Sequence, residues 1–101
     1  MPEWHLYLIR AGDGTLYAGV TTDVARRFSE HRSNGARCAR YLRGKAPLRL
    51  VFHKRIGSKG LALKAERRLK RLPKRRKEWI VRSNPSRRKL IEELAIPVHR
   101  P

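Results

Sequence analysis

At 101 residues the chain has room for one modest hydrophobic core and not for two. Its 26 Lys and Arg against 8 Asp and Glu leave a formal charge of +18, far more than solubility needs, so a polyanion is the expected partner. A hydrophobic content of 40% argues against a disordered basic tail, and the single cysteine, Cys38, excludes an internal disulfide or a cysteine-built zinc site.

No apolar run approaches the ~20 residues that a bilayer span needs, and Met1-Pro2-Glu3-Trp4-His5 lacks the basic-then-apolar order of a signal peptide. The expectation is a cytoplasmic protein with no membrane contact, compatible with association with the nucleoid. No internal repeat or linker interrupts the chain. A single domain over 1–101 is expected, with its core over about 4–82 and a basic C-terminal helix and tail over about 83–101.

Residues 4–10 and 15–21 are rich in aromatic, branched and aliphatic side chains, and they flank Ala11-Gly12-Asp13-Gly14, whose Asp-Gly step tolerates positive φ. This pattern predicts a β-hairpin. Tyr7 and Tyr17 are direct cross-strand partners on one face if three residues close the loop, and lie on opposite faces if four do, because strand side chains alternate. Thr22 or Asp23 then caps a helix to about Arg32. Val24, Arg27, Phe28 and His31 follow at steps of three and four, so an arginine and a histidine share the stripe that carries the packing residues. Arg26, Glu30 and Ser33 occupy the side better suited to solvent.

Residues 34–47 combine Gly35, Gly44 and Pro47 with Arg37, Arg40, Arg43 and Lys45, which predicts a cationic connection with a short helical turn around Tyr41. Leu48, Leu50, Val51, Phe52 and Ile56 predict a third, more central strand, broken by Gly57-Ser58-Lys59-Gly60. A second helix is predicted over 61–72, with Leu61, Ala65, Leu69 and Leu72 as its apolar stripe and Lys64, Arg67, Arg68 and Arg71 on its wet face. Glu66, the one acid on that helix, sits at the edge of the stripe. Pro73 is placed to open a third helix through Trp79, Ile80 and Val81, and Asn84-Pro85 to restart a last one to about Leu94, with a loose end after Pro97.

A one-metal nuclease requires a carboxylate to hold the cation on a phosphate oxygen, a fixed positive charge for the transition state and a base to activate water. Glu66, Arg27, and His31 or a tyrosine supply those types. A phenol is a weak base at its ordinary pKa near 10 and needs neighbouring cations to favour the phenolate. Taken singly, each side chain also has a plain structural use: the tyrosines as strand residues packed on a helix, His31 at the core edge, Arg27 snorkelling, Glu66 as a salt-bridge hub.

Their order along the chain is more specific. Tyr7, then Tyr17-Ala18-Gly19, Arg27, His31 and the helical Glu66, set within Leu6-Tyr7-Leu8-Ile9-Arg10, a Leu16-Tyr17-x-Gly19-x-Thr-Thr-Asp-Val-x-Arg-Arg run and Leu61-Ala62-Leu63-x-Ala65-Glu66, resemble the GIY-YIG nuclease family from about Trp4 to Trp79. The likeness is to the small stand-alone bacterial members. It implies an α+β fold with a small three-stranded antiparallel sheet flanked by helices. It further implies Tyr7 as candidate base, Tyr17 orienting water or metal ligands, and Gly19 letting the backbone run close to the helix that carries Arg27. Arg27 would stabilise the phosphate, His31 would position or relay a proton, and Glu66 would be the single ligand for Mg2+ or Mn2+.

His5-Leu6-Tyr7 stands where the family's first motif has Gly-Ile-Tyr, and Ala18 replaces the middle Ile of the second; neither change removes a reactive group. The asparagine that many members carry downstream has only Asn84 as a counterpart, and this residue is assigned to capping the last helix.

The implied function is a metal-dependent endonuclease that hydrolyses DNA phosphodiesters in repair or processing, selecting structure rather than sequence. Arg37, Arg40, Arg43, Lys45, Lys70, Lys74 and Arg75 are the expected nucleic-acid contacts, electrostatic and salt-sensitive. The competing readings are a non-catalytic DNA- or RNA-binding module that keeps the fold, and a subunit that relies on a protein partner to select its target.

Overall fold

A computed structural model describes residues 2–96. Strands β1 (Trp4–Arg10), β2 (Leu16–Thr21) and β3 (Arg49–Gly57) form one antiparallel sheet in the order β2-β1-β3. Helix α1 (Val24–Arg32) and a 3₁₀ turn (Arg40–Leu42) lie between β2 and β3 in sequence, and α2 (Lys59–Arg71), α3 (Lys74–Ser83) and α4 (Arg87–Glu93) follow. The protein is therefore α+β, a small three-stranded sheet flanked by helices.

Strand alternation in β1 separates two packing faces. Leu6 and Leu8 point to α2, α3 and α4, joining Ala18, Phe52, Ile56, Ala65, Leu69, Ile80 and Leu90 in one buried apolar cluster. Tyr7 and Ile9 point the other way, to a smaller cluster with Cys38 and Leu42 against which Phe28 of α1 packs. Arg68, placed by periodicity on the wet face of α2, instead donates to the Leu94 and Ala95 carbonyls at 3.3 and 2.9 Å, tying α2 to the end of α4.

The hairpin takes neither expected register. Arg10 pairs with Leu16, so five residues, 11 to 15, close the turn; Tyr7 pairs with Gly19, and Ile9 with Tyr17. The two tyrosines therefore share a face on neighbouring pairs, diagonal to one another.

Other boundaries also differ from expectation, each for a local reason. β3 is an edge strand, and the central one is β1, whose Leu6, Tyr7, Leu8 and Ile9 are buried on both faces while Arg49, His53 and Arg55 of β3 are exposed. α2 starts at Lys59 because the Ser58 hydroxyl accepts from the Leu61 amide at 3.2 Å, drawing Gly60 into the first turn. Pro73 precedes α3 as its N-cap rather than occupying its first turn. Asn84, with φ +46, ends α3 in the left-handed region, and Ser86 caps α4. The end expected after Pro97 lies outside the described residues. Among the described residues no helix is long and apolar enough to cross a membrane.

Candidate active site

Tyr7, at the centre of β1, is 2% exposed. The space left by the missing side chain of its partner Gly19 is filled by the Tyr7 ring and hydroxyl, not by the helix that carries Arg27; an added Cβ would overlap the hydroxyl itself. The hydroxyl is 3.0 Å from Nε2 of His31, which α1 delivers to the same face. Burial pushes Tyr7 up to about 12, with Tyr17 and Glu66 adding to the rise and Arg27 opposing it. Burial also pushes His31 down to about 4, assisted by the Arg27 charge and resisted by Glu30.

Asp23 sets the start of α1 by accepting from the Arg26 amide at 3.1 Å, and this phases Arg27 and His31 toward the sheet. Arg27 Nη1 donates to Glu30 at 2.9 Å and to the Arg37 carbonyl at 2.7 Å. Two residues further along that loop, the Ala39 amide donates to His31 Nδ1 at 3.2 Å. Both Arg27 and His31 of α1 are thus held by backbone groups of the basic connection.

Tyr17 meets the His31 ring edge-on, with centroids 5.6 Å apart, and stacks on Tyr41 at 5.9 Å and 21°. Lys70 of α2 places its Nζ 5.9 Å from the Tyr17 ring and 3.5 Å from the Glu66 carboxylate. α2 packs on the apolar side, so Lys70 stands between the Glu66 carboxylate and the Tyr17 ring at the β2 edge, and the Glu66 charge makes the smallest of the contributions that raise Tyr7. An open groove of about 360 Å³ runs along this edge, lined by Leu16, Tyr17, Ala18, Tyr41, Lys70 and Lys77.

The chain matches the GIY-YIG catalytic domain over residues 3–78, about three quarters of its length. It belongs to the GIY-YIG family. It is 46% identical to a UPF0213 protein of Citrobacter koseri, over 96% of this chain and 95% of that one, and 46% identical to the UPF0213 protein YhbQ of Escherichia coli over the same shares. A UPF0213 protein of Bacillus halodurans, solved by NMR in solution, is 39% identical and superposes with a TM-score of 0.50, covering 78% of this chain and 82% of that one.

On this GIY-YIG scaffold the expected cations are distributed unevenly. Lys70 and Lys45 adjoin the site, the latter with its Nζ 3.6 Å from the Tyr41 ring centroid and 3.6 Å from Asp13. Arg43 turns back onto the Gly35 and Ala36 carbonyls, and the Arg37 side chain is 79% exposed while its carbonyl holds Arg27. Arg40 is exposed on the 3₁₀ turn and Lys74 at the start of α3; Arg75 lies on another surface of α3, with Arg76, Trp79 and Arg82. Tyr41, Lys77 and the Ala39 amide are the participants that spacing did not single out. An exposed aromatic within a basic loop is a signal for the first; a peptide N–H leaves none.

Among the described residues no group of three or more His, Cys, Asp and Glu side chains converges, so no cage built of protein ligands alone surrounds the Glu66 carboxylate. That donor set fits a hard, oxygen-seeking ion such as Mg2+, which keeps several waters and completes its shell with phosphate oxygens, and it does not fit zinc.

Proposed function

We propose that the chain is a metal-dependent endonuclease that hydrolyses phosphodiester bonds in DNA, selecting structure rather than sequence, in DNA repair or processing. The observation that most supports this reading is the contact of Tyr7 and Tyr17 with His31, with the Arg27 charge acting on Tyr7 and Lys70 standing between Tyr17 and Glu66, drawn from four separate elements. A purely structural use of each residue does not require them to meet beside a lysine-lined groove.

In this reading Tyr7 releases its own phenolic proton to water in the substrate complex and, as the phenolate, takes a proton of the attacking water. Burial holds it as a phenol in the free protein, and Arg27 beside it is the charge that favours the phenolate. His31 fixes the Tyr7 oxygen, and Tyr17 orients water at the groove. Arg27 stabilises the charge that develops on the phosphate. Glu66 would hold a single Mg2+ or Mn2+, exchanging its ion pair with Lys70 for the cation. A divalent ion bound there polarises the phosphate oxygens as a Lewis acid. Lys45, Lys70 and Lys77, with Arg37 and Arg40, would draw the phosphate backbone in without reading bases, at a site without membrane contact and in the cytoplasm.

The alternative, a non-catalytic nucleic-acid binder, draws support from the Glu66–Lys70 ion pair, which gives the carboxylate a structural use, and from the net charge of +18. Labelled duplex, single-strand, flap and junction substrates incubated with Mg2+ or Mn2+ separate the two. Metal-dependent cleavage that disappears in Glu66→Ala is expected. Salt-sensitive binding that ignores metal, with no cut product at any protein concentration, would select the binder.

A further inference from the structure

Both ring nitrogens of His31 are engaged, and the two contacts together decide where its proton sits. A peptide N–H can only donate, so the Ala39 amide 3.2 Å from Nδ1 makes Nδ1 the acceptor and leaves it without a proton. A neutral imidazole then carries its hydrogen on Nε2, 3.0 Å from the Tyr7 hydroxyl. The ring is 1% exposed, and its low pKa keeps it neutral at pH 7. We propose that the backbone of residues 37–39 is the positioning element of this centre: the Ala39 N–H fixes His31 as the Nε2–H tautomer, which makes it a donor to Tyr7, while the Arg37 carbonyl anchors Arg27.

The consequence is a division of labour. With Nε2 protonated and Nδ1 occupied, His31 has no lone pair to offer the Tyr7 proton, so ionisation of Tyr7 delivers that proton to water and not to the imidazole. The imidazole instead stabilises the phenolate, because a hydrogen bond to an ionised acceptor is about twice as strong as one to a neutral one. His31 therefore positions and polarises Tyr7 rather than relaying its proton. This bearing on catalysis rests on the nuclease reading; the tautomer itself does not.

NMR of the full-length 15N-labelled chain at neutral pH tests it. The expected result is a single His31 tautomer protonated at Nε2, with a scalar coupling between the Ala39 amide nitrogen and Nδ1 across their hydrogen bond. A proton on Nδ1, an imidazolium ring or no coupling would overturn it. Ala39→Pro removes the donor at a φ of −58° that the proline ring accepts. In that variant a mixture of tautomers and a roughly tenfold lower kcat at unchanged KM are expected, whereas Ala39→Gly, which keeps the N–H, retains the single form. A folded Ala39→Pro chain that keeps the pure Nε2–H ring contradicts the proposal, and if that variant does not fold the wild-type coupling decides. Coupling in a chain that cuts nothing removes only the nuclease reading; cutting without coupling removes only this one.

Discussion

The two faces of the sheet are built on opposite terms. On the side of Leu6 and Leu8, three helices cover the strands with aliphatic side chains, and β1, α2, α3 and α4 each contribute fully buried ones. On the side of Tyr7 and Ile9, one helix and a looped connection enclose a smaller cluster that includes a phenol and an imidazole bonded to each other, the imidazole also accepting from a backbone amide. Apolar contact tolerates local repacking, whereas buried polar groups depend on every partner being present. One face can therefore carry stability while the other holds reactive groups in a single geometry, with successive residues of β1 serving each in turn.

Tyr7→Phe sharpens this contrast most. Cleavage should fall by about 10³-fold, in the range expected when a general base is removed, while unfolding free energy falls by about 1–3 kcal/mol, because the buried His31 Nε2–H loses its partner. Single-turnover cleavage and a melting curve on the same sample measure both. Leu69→Ala is the converse. Leu69 is fully buried among aliphatic neighbours, so truncation should cost about 3 kcal/mol in urea unfolding and leave the rate per folded molecule unchanged.

A smaller effect comes from pH. Because His31 is depressed to about 4 in the folded protein, the unfolded chain binds its proton first as pH falls below about 6.5. Stability is therefore complete above that value and should decline by roughly 2 kcal/mol by pH 5. The Asp13, Glu30 and Glu78 carboxylates, held below their usual range by hydrogen bonds from Thr15, Arg27 and Arg10, add their own losses only below about pH 4.5. Urea midpoints at pH 7 and 5 for the wild type and His31→Gln isolate the imidazole contribution, which the variant should lack.

Much of the architecture was legible because local rules and global packing agree in it. Strand alternation, the Asp23 cap and the stripe Val24-Arg27-Phe28-His31 each depend on near neighbours in sequence. What was missed depended on distant partners. The sequence of β3 reads as buried, yet its edge position follows from β1 pairing on both sides, and the five-residue turn depends on Tyr7 finding space at Gly19. At the site, side-chain types and spacing were readable from Tyr7 to Glu66, but the stacking of Tyr41 on Tyr17 and the two backbone bonds from residues 37 and 39 exist only once the loop has closed over α1.

The central claim is that residues from both sides of the sheet act as one hydrolytic centre, and a double-mutant cycle between Arg27 and Glu66 in metal-dependent cleavage tests it most directly. Each alanine substitution should lower the single-turnover rate by about 10²–10³-fold, and the double variant should lose little more than the worse single one, as groups working in a unit do. Losses that multiply in the double variant, or single variants that cut at the wild-type rate, would contradict it.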